Sequence, residues 1–346
     1  MIKCINKVGG ANLQFGKDKT AIIKGIAIVF MIILHCGAPS YFMIEIPALH
    51  NQWVMHFMES FKICVGIFTF MVGYGYAFAK KKDWRYSFLH IKKLLIPFWV
   101  ILFVFTLPFC FREVTLSQWL LNMFGVNSHF NWFSWFVAFF IYAMIVLPFM
   151  SKLIDHWPMI ASAGLIILTY GVEALIHQLV PDFSENDWTQ RLFDCMICSP
   201  GMIFGYLFAK EQWFLKICVP HHWLSVVAAL LLAVLVFVAR MSIGDVLGFN
   251  LDFFYAPLII FSVLVIFNVL HLPFLNSILT KLGEASVYMW FFHALFFQSA
   301  TRHVYQPFIL FSNSLLIIIV WTIVITFSVS FILLKVNEWV STVCHK

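Results

Sequence analysis

Lys24 to Cys36 reads KGIAIVFMIILHC, an apolar run with an ammonium at one end and an imidazole near the other. Extended to 20–38, it is long enough to cross a bilayer, which takes about 20 predominantly apolar residues. Lys24 and His35 are 11 positions apart. At about 100° per residue they differ by roughly 20° around the helix axis, so they share one face about 16 Å apart along it. Ionisable groups inside a membrane are expensive, and they mark a pathway, a pair or a site. A snorkelling lysine and a histidine satisfied by a neighbouring helix would be the bland account; the shared face favours a site.

The rest of the chain has the same character. Of 346 residues, 62% are hydrophobic and 11% charged, against about 45–50% and about 25% in soluble domains. The apolar excess recurs along the whole length, which predicts an all-α, polytopic membrane protein. Ten spans are expected, at 20–38, 61–79, 93–111, 131–150, 159–180, 193–210, 222–239, 253–270, 286–306 and 313–334. The stretch 114–130 is apolar but broken by Ser117, Gln118, Asn122 and Asn127, as an interfacial segment would be. This gives a segment 1–19, one transmembrane domain over 20–334, and a tail 335–346. No internal repeat is visible. No A-x-A site follows the first span, so it is expected to be retained rather than cleaved.

Charge sets the orientation. With the N-terminus in the cytoplasm, 16 Lys/Arg other than Lys24 fall inside, against six acids. Five (Lys62, Arg112, Arg191, Arg240, Arg302) fall outside, against ten acids. That is the segregation the positive-inside rule demands, and an even span number returns the C-terminus to the same side. The net charge of +6 then reflects topology and needs no nucleic-acid partner. Cys4, Cys36, Cys64, Cys110, Cys195, Cys198, Cys218 and Cys344 lie mostly in apolar runs. They read as small buried hydrophobes rather than a disulfide framework. The C-x-x-C at Cys195 and Cys198 lacks a second ligand pair with zinc spacing, so no metal site is expected. H-E-x-x-H, Walker A, G-x-S-x-G and G-x-G-x-x-G motifs are absent, which removes the protease, NTPase, serine hydrolase and dinucleotide classes. His56 and Glu59 form only an isolated i,i+3 coincidence.

The Lys24-x10-His35 spacing resembles the R/K-x10-H motif in the first helix of the acyltransferase 3 family of integral membrane acyltransferases. Further segments resemble that family in the same order. VGIFTFMVGYGYAF (65–78) is similar to its Phe-rich second span, and FLHIKKLLIPFW (88–99) to its basic run before a proline and an aromatic. SWFVAFFIYAMIVLP (134–148) and RLFDCMICSPGMIFGYLFA (191–209) resemble its Trp-Phe…Tyr…Pro span and its Arg-x-x-acid span. LGEASVYMWFFHALF (282–296) resembles its Gly-x-x-Ser…Tyr…His span. The match covers nearly the whole chain. It departs at Lys24, where the family usually has Arg, so a compact charge replaces a planar fork.

The resemblance implies a membrane-embedded O-acyltransferase in a bacterial cytoplasmic membrane, with both termini cytoplasmic. Acetyl-CoA would be the donor substrate, with no resident cofactor, and a hydroxyl of a surface polysaccharide or its lipid-linked precursor would be the acceptor. It implies that His35 is the catalytic histidine. Imidazole suits that role, because its proton affinity lies near working pH; His35 either deprotonates the hydroxyl or carries the acyl group itself. Lys24, Arg85, Lys92 and Lys93 are the candidates for holding acyl-CoA, since cations at a cytoplasmic mouth attract its phosphates; the bland reading of that basic run is topology and lipid headgroups. Arg191 and Asp194, three apart, are candidates either for the acceptor or for a structural pair. His293 is a candidate for orienting His35 or binding substrate, and Glu284 for a cytoplasmic contact. Trp132 and Trp135 read as an interfacial belt or as a sugar platform. Membrane lipids are expected partners, and a homo-oligomer is left open. The rival class is a transporter of a glycan or small metabolite, which would show inverted repeats and broken spans.

Overall fold

The computed structural model describes residues 10–13, 15–110, 115–127, 130, 132–180, 182–220, 222–243 and 250–344. Lys3, Lys7, Arg112, Lys346 and the Trp132 side chain lie outside that description. Of the described residues, 83% are helical. Ten long helices follow in order: α1 Lys17–Cys36, α2 Ile63–Ala77, α3 Trp84–Cys110, α4 Trp135–His156, α5 Pro158–Leu179, α6 Asp187–Lys210, α7 Trp223–Ile243, α8 Asp252–Val269, α9 Pro273–Phe297 and α10 Leu315–Cys344. Among the described residues nine helices are long and apolar enough to cross a membrane, α2 doing so together with the preceding Gln52–Ser60 turns. The protein is a polytopic all-α membrane protein.

The helix starts carry the expected chemistry. Asn51 accepts from the Trp53 N–H, Asp83 from Tyr86 and Asn186 from Trp188, each answering a backbone donor that the first turn leaves unpaired. Pro158 and Pro273 stand at the first helical positions, where the missing N–H is not needed. Pro97, Pro148, Pro200 and Pro257 lie inside helices, which membrane bundles tolerate. Beyond Pro97, α3 loosens to i→i+5 winding over Ile101–Thr106. A two-stranded ribbon pairs β1 Gly10–Asn12 with β2 Cys218–Pro220.

Two helix crossings make the core. At Gly25 a Cβ would overlap the Leu279 carbonyl, and at Gly283 it would overlap the Ala21 carbonyl, so α1 and α9 touch backbone to backbone. At Gly73 and Gly205 the same holds for α2 against α6. Close approach over small residues is how membrane helices gain packing without a hydrophobic drive. Around them α5, α7 and α10 turn most of their surface outward, with Leu230, Leu231 and Leu235 of α7 exposed, as a lipid-facing helix requires.

The structure corrects two expectations. The ninth helix runs over Pro273–Phe297, not 286–306, and of the ten expected spans it is the one not counted among the nine helices apolar enough to cross a membrane. Pro273 presets the start, the chain turns extended at Gln298 (ψ 132°), and the polar Asn276, Lys281 and Glu284 that hide the span's first half in the sequence lie inside the helix. Cys218 is disulfide-bonded, unlike Cys36, Cys64, Cys110, Cys195 and Cys198, which are buried free thiols. It sits on a β-ribbon outside the apolar helices, so the reading of a buried hydrophobe does not hold there.

Candidate active site

The α1–α9 crossing brings together the two histidines singled out in the sequence. His35 Nδ1 lies 2.9 Å from His293 Nε2, with the rings stacked at 5.0 Å between centroids. Phe133, in the short turn before α4, packs on both, at 4.2 Å from His35 and 5.2 Å from His293. His293 is fully buried and His35 is 8% exposed. The proton positions follow from the acceptors. His293 Nδ1 lies 3.0 Å from the Met289 carbonyl, which can only accept, so the neutral ring carries its hydrogen on Nδ1. Its Nε2 is then an acceptor, and His35 must donate Nδ1–H to it. Neutral His35 therefore carries its lone pair on Nε2.

Two cavities address opposite ends of α1. One, about 450 Å³, is lined by His35 with Leu34, Gly37, Tyr41, Glu59, Lys62 and Trp135. Its wall at 38–43 is held by Gln306, which is fully buried. Gln306 donates from Nε2 to the Tyr41 carbonyl at 2.7 Å and to Phe296 at 3.0 Å, and it accepts from the Met43 N–H at 2.6 Å. Arg302 donates to the Ser40 carbonyl at 3.0 Å. Burial pushes the Tyr41 phenol up to about 12, so it stays protonated and can donate. Glu59 is steadied from behind: Arg240 donates to its carbonyl at 3.2 Å while pairing Asp252 at 2.8 Å.

The other cavity, about 370 Å³, is lined by Lys24, Tyr86, His90, Lys93, Ser286 and an aromatic and aliphatic wall. Among the described residues no carboxylate or other acceptor meets the Lys24 ammonium. A largely buried cation without a partner is costly, and the cavity is the place from which an anion would relieve it.

Phe68 of α2, Phe136 of α4 and Trp290 of α9 together line the Lys24 cavity. Ring centroids are 4.3 Å apart for Phe136 and Trp290, and 4.8 Å for Phe68 and Trp290. Trp290 is one turn from His293, and Phe136 is next in sequence to Trp135 of the other cavity. The Trp290 Nε1–H is buried and meets no acceptor among the described residues, an omission that costs about 1–3 kcal/mol in a folded chain.

A family model described as an acyltransferase domain matches residues 21–335. The chain belongs to the acyltransferase 3 family. No curated protein and no solved structure matches it. As a membrane acyltransferase, it places the two cavities and the histidine pair within the matched span.

The other sequence candidates divide. Lys24 and Lys93 line one cavity of the acyltransferase, and His35 and Trp135 the other. Arg85 and Lys92 are exposed on α3 and line neither. Arg191 Nη1 meets Asp194 Oδ2 at 2.6 Å, and Gln190 donates to the same carboxyl at 3.0 Å. They pair on α6 and line neither of these two cavities. Glu284 is exposed on α9. Sequence reasoning passed over Trp290, Phe133, Gln306, Tyr41 and Lys62. It dismissed Glu59 as coincidence, yet Glu59 and Lys62, three apart, both face the His35 cavity. The one available signal was that spacing beside a membrane boundary.

Proposed function

We propose that this acyltransferase moves an acetyl group from acetyl-CoA to a hydroxyl of a surface polysaccharide or its lipid-linked precursor. The observation that carries the reading is the His35–His293 pair, with His35 on one cavity and Lys24 of the same helix on a second cavity of different chemistry. The Lys24 cavity is narrow and apolar, with cations Lys24 and Lys93, and suits a thioester arm whose phosphates remain at a basic cytoplasmic mouth. The His35 cavity offers Trp135, Tyr41, Glu59 and Lys62, an aromatic face with donors and acceptors, and suits a sugar.

His35 Nε2 takes the proton of the acceptor hydroxyl as its oxygen attacks the thioester carbonyl carbon. The carbonyl electron pair moves onto oxygen and returns as the C–S bond breaks, and the departing thiolate takes the proton from His35. His293 acts as a positioning residue. Its Nε2 fixes the His35 tautomer and stays bonded to Nδ1–H while His35 is an imidazolium. If His35 carries the acyl group instead, the same Nε2 is the attacking atom.

The test uses membranes holding wild type or His35→Ala, radiolabelled acetyl-CoA and a cell-envelope glycan extract. Label should reach glycan with the wild type and fall by about 10²- to 10⁴-fold with the variant. Equal labelling by both overturns the role of His35. Wild-type membranes that label only with a different acyl-CoA correct the donor.

A further inference from the structure

We propose that Trp290 binds the acyl end of the donor, its indole N–H donating to the thioester carbonyl oxygen. The proposal rests on the reading that an acyl thioester enters through the Lys24 cavity.

Three observations converge on this indole. It lines the cavity that holds Lys24 and Lys93. Its Nε1–H is a buried donor with no acceptor among the described residues, whereas His293 and Gln306 are used, His293 on Met289 and Gln306 on Tyr41, Phe296 and Met43. And it lies three residues before His293 on α9, about 4.5 Å along the axis, on the same helix as the ring that fixes His35.

The chemistry of the missing acceptor is narrow. Indole N–H donates only, so its partner must bring an oxygen lone pair. The approach is past Phe68 and Phe136, whose rings lie against the indole, so the arriving group must be slim and largely apolar. A thioester carbonyl on a flexible arm meets both conditions, and a phosphate or a sugar ring does not. The same N–H gains strength as the carbonyl electron pair shifts onto oxygen during attack. A donor aimed at developing negative charge in a water-poor site is the arrangement that accelerates acyl transfer.

The test compares binding of acetyl-CoA and of CoA to the purified protein in detergent, for wild type, Trp290→Phe and Trp223→Phe. Wild type should prefer acetyl-CoA over CoA. Trp290→Phe should lose about two- to tenfold of that preference with CoA affinity unchanged, and Trp223→Phe, which removes an indole exposed on α7 and away from both cavities, should keep it. A Trp290→Phe protein with the wild-type preference overturns the role of Trp290 alone. Wild type that binds neither molecule overturns the donor reading and this role with it. A measurement on wild type alone covers the case in which the variant does not fold. The infrared carbonyl band of bound ¹³C-acetyl-CoA should lie below its position in an apolar solvent, and a band at the apolar position overturns the proposal.

Discussion

The two ends of α1 share a face and little else. At one end Lys24 looks into an apolar cavity with no counter-charge among the described residues. At the other, His35 is gripped by a second histidine, which is itself fixed on a carbonyl. An unpartnered cation waits for a partner from solution, and a ring whose tautomer is set by its neighbours is prepared for proton transfer. The difference teaches that burial of ionisable groups on one membrane helix serves two purposes, separable by whether the fold supplies the partner.

That contrast can be broken most sharply at His35. His35→Gln should lower kcat by about 10²-fold or more while leaving the KM for the acyl donor near wild type in steady-state assays. A change confined to donor KM would make the two ends alike. His293→Phe should cost roughly 100-fold in kcat, less than the about 10⁴-fold seen where a carboxylate orients the imidazole. His293→Gln, which can offer an acceptor oxygen, should recover part of it in the same assay. Lys24→Met should act the opposite way, raising donor KM about tenfold with kcat held, and Lys24→Arg should restore binding because the charge is kept. Gln306→Leu should raise the KM for the acceptor by about three- to tenfold and leave donor KM alone, since it releases only the wall at 38–43. Smallest of all, Arg85→Ala and Lys92→Ala should change donor KM by less than about twofold and only at low salt, where exposed charges are least screened.

The fold class was legible because each span is a long apolar run, and burial in lipid leaves little other reading. The Lys24–His35 face was legible because helical geometry relates residues on one helix without any knowledge of the rest. His293 was reached through its place in a family pattern, and the structure adds the reason, a bond to His35 across 258 positions of chain. What stayed hidden depends on such long-range meetings. Gln306 is one polar residue in a short loop until its amide is seen to reach Tyr41 and Met43. Trp290 is one of 13 tryptophans until its N–H is found without an acceptor. The start of α9 was misplaced because Lys281 and Glu284 interrupt the hydropathy that marks the other helices. Arg191 and Asp194 pair as their spacing of three allows, and they line neither of the two cavities.

The crossing at Gly25 and Gly283 bears on how such a protein can move. Histidines supplied by helices that meet backbone to backbone cannot drift apart unless that contact is pulled open, and the carbonyls of Ala21 and Leu279 leave no slack for sliding. The close approach at Gly25 and Gly283 thus holds the two imidazoles as one unit, whatever moves around them.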